Sequence, residues 1–238
     1  MKKESSKQRL SKILAAAGVA SRRACEELIF TGRVQVNHQI TLIPQTMVDP
    51  KKDHITVDGK KIEAAENRVY FILNKPIGYI CSNLRRGQTK LVIDLFPEIE
   101  ERLFTVGRLD KDTEGLILVT NDGHFANNVM HPSFNIPKEY LVKTNEEITH
   151  DHLMAIAAGT LVDGVFVKPK YVKKIRRGTL KICVMEGKKH EVRLLLNAAG
   201  LQVKGLARIR IGNLQLGTLP VGTYRPMTEQ EKKLVLGP

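Results

Sequence analysis

The 238-residue chain has little that would tie it to an oxidising compartment or a bilayer. Its three cysteines, Cys25, Cys81 and Cys183, lie far apart with no Cys-x-x-Cys. That argues against a disulfide framework or a zinc site and makes a reducing cytoplasm the expected location. No stretch approaches the ~18 consecutive apolar residues of a membrane helix, so no membrane partner is expected. The opening MKKESSKQRL is basic but has no apolar core behind it, unlike a secretory signal. Nucleotide-phosphate loops, dinucleotide fingerprints and Ser/His/Asp arrangements are missing too. His190-Glu191 is not a zincin motif, because the second His is absent. There is no long Gly/Ser hinge, internal repeat or low-complexity tract. Any chemistry must therefore work with carboxylates, phenols and cations.

Positive charge, by contrast, is abundant. The composition is ordinary for a globular protein, with 42% hydrophobic and 26% charged residues, yet the net charge is +13 and the sequence pI is near 9.7. Residues 168–210 carry thirteen Lys/Arg against Glu186 and Glu191, and residues 1–39 carry eight against three acids. Two separate basic regions suit an extended phosphate-lined binding face better than a merely solvated surface.

The most informative stretch is residues 106–123, VGRLDKDTEGLILVTNDG. Gly107 and Gly115 bracket a polar loop with Arg108, Asp110, Asp112, Thr113 and Glu114; an apolar, partly β-branched run at 116–120 then reads as a buried strand. Asn121-Asp122-Gly123 follows as a turn. Taken alone, the loop allows three readings: a solvated surface loop, a metal or phosphate site on Asp110 and Asp112, or a single working carboxylate with an Arg partner. The metal reading is weakened because the apolar strand follows the acids instead of preceding them. GRLDKDTEGLILVTNDG closely resembles the catalytic motif of pseudouridine synthases of the RsuA type, which modify ribosomal RNA, and so favours the third reading.

Before this stretch, Leu10, Ile13, Leu14 and Ala17 recur at helical spacing, and Gly18 is placed to cap them. Ser21 can cap a second helix with Ala24, Leu28 and Ile29 inward, ended by Gly32. Strands are expected at 33–37 and 39–43, and Asp58-Gly59 marks a hairpin between 54–57 and 60–62. Arg22 and Arg23 fall in the first turn of the second helix, against its dipole; a bound phosphate would reverse that penalty. RLSKILAAAGVASRRACEELIFTGRVQVN resembles an S4 domain, a small module that grips structured RNA. The RNA contacts assigned to it are Arg9, Lys12, Arg22, Arg23 and Arg33. Residues 1–7 are expected to be disordered, and residues 63–67 (EAAEN) to form a linker between a module at 1–62 and a domain at 68–238.

In the larger part, a buried strand at 69–74 ends at Lys75-Pro76. NKPIGYICS there resembles the first motif of the family, with Lys75 a candidate RNA contact or a solvated turn residue. KEYLV at 138–142 resembles the second, which implies that Tyr140 lies against the target base. EGKKHEVRLLLNAAGL resembles the third, whose Arg pairs with the catalytic Asp; this implies Arg193 beside Asp110. The RsuA branch commonly has Gln-Val-Arg-Arg where this chain has Glu191-Val192-Arg193-Leu194. Lys188, Lys189 and Arg108 complete the RNA-facing candidates, with a salt bridge within the loop the other option for Arg108. Helices are expected at 124–131, 149–158 and 228–234, and strands at 165–176, 179–185, 207–211 and 213–216.

The resemblance implies an α+β fold, an S4 module followed by a mixed, mainly antiparallel sheet with a few helices. It implies isomerisation of a uridine in ribosomal RNA, the large subunit being favoured, with no cofactor and no metal. Asp110, Tyr140 and Arg193 are the catalytic set, and a monomer is expected. The alternative is an RNA-binding or ribosome-assembly factor that keeps the fold without the chemistry, but binding alone would not require that trio.

Overall fold

The structure, a computed structural model, describes residues 7–62, 67–162 and 164–237; the tail at 1–6 and linker positions 63–66 lie outside them. The chain divides into two compact units. One runs to Val69 and takes in Asn121–Gly123; the other holds Tyr70–Thr120 and His124 onward.

The first unit begins with β1 (Gln8–Arg9), followed by α1 (Leu10–Ala16) and α2 (Arg22–Phe30). Ser21 caps α2 by accepting from the Ala24 N–H. Its inner face is Cys25 and Ile29, with Leu28 half-buried, whereas Ala24 is exposed. A strand ladder then pairs β2 (Val34–Val36) with β3 (Gln39–Ile40) and β5 (Ile55–Val57), and β5 with β6 (Lys60–Lys61). Both hairpins turn through residues with positive φ, Asn37-His38 and Asp58-Gly59. That is the geometry whose twist matches a two-residue β-turn. β4 (Met47–Val48) returns to pair with β1. Leu10, Ile13, Leu14, Cys25, Ile29, Val34 and Val48 close one apolar core between helices and ladder.

The second unit is built on one sheet. Its path is β13 (Tyr171–Arg176), β14 (Thr179–Val184), β10 (Lys138–Thr144), β15 (Val203–Ile211), β9 (Glu114–Thr120), β7 (Tyr70–Lys75) and β17 (Tyr224–Pro226). β8 (Phe104–Val106) adds to β9, and β16 (Leu214–Gln215) to β15. Every pairing in it is antiparallel except β15 with β9. The sheet is thus mixed and mainly antiparallel, and the chain is α+β as expected. Helices α3 (Gly123–Met130), α4 (His150–Ala158), α5 (Glu191–Ala198) and α6 (Glu229–Leu236) complete the unit. Ile72, Leu116, Leu118, Phe125, Val129 and Val235 are among the residues of its main core.

The strand expected at 165–176 is broken. Residues Val165–Val167 form β12, which folds back on β11 (Thr160–Val162) as a separate ribbon. Pro169 explains the break, because it offers no N–H to continue the ladder into β13.

One parallel contact governs the site. Gly115 lies against Arg208 where β9 meets β15. A Cβ at Gly115 would stand 2.3 Å from the Arg208 carbonyl oxygen, and φ here is +105°. Only glycine lets the two backbones approach so closely.

Candidate active site

β9 delivers the acidic loop to the mouth of the sheet, and a buried lysine pins it there. Lys75, at the end of β7, is 0% exposed. Its Nζ donates to the backbone carbonyls of Asp110 (3.0 Å), Thr113 (2.7 Å) and Pro76 (3.1 Å). Lys75 is therefore not an RNA contact: its charge is spent on fixing the loop. Burial pulls its ammonium below the ordinary lysine value, opposed by Cys81, Asp112, Asp110 and Glu114. The Thr113 N–H donates to the Asp110 carbonyl at 3.1 Å and closes the turn.

With its backbone fixed this way, Asp110 lines a cleft of about 500 Å³. Its side chain is about one-third exposed, and Oδ1 lies 3.5 Å from His190 Nε2, an ionic contact only when the imidazole is protonated. Tyr140, from β10, lines the same cleft and is 8% exposed. A register shift between Glu139 and Tyr140 in the β10–β15 pairing accompanies its placement, and such bulges re-aim side chains beside active sites. Glu139, on the opposite face, accepts hydrogen bonds from Tyr171 and Arg210. Burial and the bond to Glu139 push the Tyr171 phenol up to about 12. This row locks β10 against its neighbours from behind.

Arg193 reaches the cleft from the first turn of α5. Its Nη2 lies 2.8 Å from Asp112 Oδ2 and donates to the Asp112 carbonyl at 3.1 Å. The expected partner was Asp110; the ion pair is instead with the acid two residues further on. The guanidinium still grips the loop, but leaves the Asp110 carboxylate to His190.

The other cations separate by environment. Arg108, Lys188 and Lys189 line the cleft. Arg108 is exposed and has no ion pair among the described residues, so the salt-bridge option for it is not realised. Lys188 pairs with Glu186 at 3.1 Å. In the first unit Arg9, Lys12 and Arg23 are exposed, and Arg22 sits 3.6 Å from Glu26. Arg33 is exposed and held by Asp58, its Nε and Nη2 donating to the two carboxylate oxygens at 2.9 and 2.6 Å.

Two cleft residues were not legible as such in the sequence. Lys138 donates to the carbonyls of Met185 and Glu186 and lines the cleft. Arg208 is 4% exposed, donates from Nε to the Leu116 carbonyl at 2.7 Å, and lines the cleft as well. The available signal was an Arg two residues after Leu206, on the inner phase of an alternating strand. Among the described residues no group of three or more His, Cys, Asp or Glu comes together as a metal site.

A mixed sheet thus presents a pinned carboxylate, a tyrosine and cations in one cleft, a lining suited to a polyanionic ligand. The family models agree. Residues 69–198 match the model described as RNA pseudouridylate synthase, and residues 8–55 match the S4 domain. The chain belongs to the pseudouridine synthases, in the RsuA-type branch that carries an N-terminal S4 domain, and is an isomerase.

Among its relatives is a protein of Arabidopsis thaliana named putative ribosomal large subunit pseudouridine synthase SVR1, chloroplastic. It is 48% identical over 95% of this chain, which spans 60% of that protein's length. Ribosomal large subunit pseudouridine synthase B of Bacillus subtilis is 37% identical over 95% of this chain and 94% of its own. A solved structure titled as a pseudouridylate synthase superposes with a TM-score of 0.70 at 29% identity, covering 95% of this chain and 99% of that one.

Proposed function

We propose that the chain converts a specific uridine of large-subunit ribosomal RNA to pseudouridine, with Asp110 as the catalytic carboxylate. The observation that carries this is the convergence of Asp110, Tyr140 and Arg193 on one cleft. The names of the Arabidopsis and Bacillus relatives support the choice of subunit.

The reaction breaks the C1′–N1 bond, turns the base and joins C5 to C1′. The proton on C5 is lost and N1 gains one, so no atom is added and no redox partner is needed. Asp110 meets the sugar or the base at the cleft mouth. Tyr140 offers a flat face to the extruded uracil and a hydroxyl to the proton leaving C5. Arg193 positions the loop through Asp112. Extruding the uridine costs roughly a few kcal/mol, which contacts from Arg108, Lys188, Lys189 and the exposed cations of the S4 unit to the RNA backbone would offset. Cys25, Cys81 and Cys183 are buried thiols, which accords with a reducing compartment, taken to be the cytoplasm, and one chain is taken to suffice.

The test is to map pseudouridines in both ribosomal RNAs from cells with and without the gene. One large-subunit site should vanish on deletion, return with the wild type and stay unmodified with Asp110→Asn. Identical maps, or full rescue by the variant, would refute the assignment.

A further inference from the structure

Five buried side-chain polar atoms lack a hydrogen-bond partner among the described residues, and three of them belong to residues of the catalytic cleft: Thr113 Oγ1, Arg193 Nε and Arg208 Nη2. Arg208 is 4% exposed, deeper than Arg193, and unlike the equally buried Thr113 it carries a charge. Arg208 is directly opposite Tyr140 in the β10–β15 register. Such pairs project from one face of a sheet with Cβ atoms about 5 Å apart. Its backbone is held by the close approach of Gly115, and its Nε by the Leu116 carbonyl. What remains is a fixed guanidinium with a free donor, next to the ring that the functional reading places against the base. A buried donor left unsatisfied costs about 1–3 kcal/mol, a cost that an acceptor on a ligand removes.

The electrostatics ask for negative charge at the same spot. No ion pair neutralises Arg208 among the described residues. Burial, and then the Arg208 charge, push the nearby Lys138 ammonium below its ordinary value. The acids that line the same cleft face other partners: Asp110 lies beside His190, Glu186 pairs with Lys188, and Glu191 accepts from the Lys188 N–H. Lys138 and Arg208 thus stand in the cleft without an ion pair of their own among the described residues.

We propose that Arg208 is a further catalytic residue, which binds the uracil ring as it leaves the ribose by donating from Nη2 to a ring carbonyl oxygen. This rests on the functional reading above. Attack at C1′, attack at C6 and elimination from the sugar all place electrons on the uracil. When C1′–N1 breaks, the bonding pair stays with the ring and spreads to O2 and O4; the same electrons later form C5–C1′. Arg208 gives up no proton. A fixed donor aimed at developing charge in a water-poor site contributes roughly a hundredfold in rate.

The test compares the wild type with Arg208→Met and Arg208→Lys. The substrates are unmodified transcripts of the organism's large- and small-subunit rRNA, carrying tritium at uridine C5. Single-turnover tritium release at saturating enzyme should fall about a hundredfold in Arg208→Met and less in Arg208→Lys, with RNA affinity within threefold. A second substrate separates chemistry from folding. Fluorine at C5 makes uracil a better leaving anion, so with 5-fluorouridine transcripts, followed as loss of 5-fluorouridine from digested RNA, the defect of either variant should shrink. Equal defects on both substrates that track a lower melting temperature would assign Arg208 a structural role and overturn the proposal, as would unimpaired Arg208→Met. A wild type that releases no tritium from either RNA would overturn the functional reading itself, and this inference with it.

Discussion

The cations of the S4 unit and those of the catalytic cleft are the same residue types in opposite surroundings. Arg9, Lys12 and Arg23 stand in water, where salt screens them and each contributes little to folding. Lys75 and Arg208 are almost wholly buried, and backbone carbonyls take the Lys75 ammonium and the Arg208 Nε. An exposed cation is cheap and replaceable, so it serves a sequence-tolerant hold on phosphate. A buried one costs desolvation and endures only where its geometry is needed. The net charge of +13 therefore mixes two functions that composition cannot separate.

The strongest way to break this contrast is Lys75→Met. It removes the ammonium donor from the carbonyls of Asp110, Thr113 and Pro76, so stability should fall by about 2–3 kcal/mol in urea unfolding. Turnover should fall at least about a hundredfold as the Asp110 loop loses its anchor, with RNA affinity unchanged. A shift in the salt dependence of binding instead would mean that Lys75 behaves like a surface cation.

An intermediate case sharpens the scale. Arg225 holds Glu231 at 3.0 and 2.6 Å, and Glu231 also accepts from the Thr228 N–H at the start of α6. The Arg225 hydrogen bond, against some burial, lowers the Glu231 carboxyl to about 2. Because the folded value lies below the ordinary 4.5, the stabilisation is fully present above that pH and is lost as pH falls toward 2. Arg225 is 41% exposed, so screening reduces the contribution to about 1–2 kcal/mol. The stability gap between wild type and Glu231→Gln in urea should therefore narrow steadily below about pH 4.5.

The smallest effect on folding belongs to Arg22→Ala combined with Arg23→Ala. Stability should stay within about 0.5 kcal/mol of wild type. RNA affinity should drop at low salt, and the slope of log affinity against log salt should lose about 0.7–0.9 for each phosphate contact removed. An unchanged slope would remove these residues from the RNA-binding face.

Much of this architecture was legible because local physics decides it. The Ser21 and Thr228 caps, the Asp58-Gly59 turn and the apolar phases of α1 and α5 all follow from side-chain chemistry within a few residues. The ribbon of β11 and β12 escaped because an apolar run followed by basic residues reads as one long strand unless Pro169 is given its full weight as a ladder breaker.

The site divides along the same line. The order of residues along the chain by itself determined which groups the catalytic proposal rests on, since Asp110, Tyr140 and Arg193 lie in motifs a reader can recognise, and all three line the cleft. Only the tertiary structure decided the pairings: Arg193 with Asp112, His190 beside Asp110, Lys75 beneath the loop and Arg208 behind Tyr140. A motif fixes the identity of a side chain, but its partner depends on strand register and on how closely backbones approach. Here those are set by the meeting of Gly115 with Arg208, 93 positions apart in sequence.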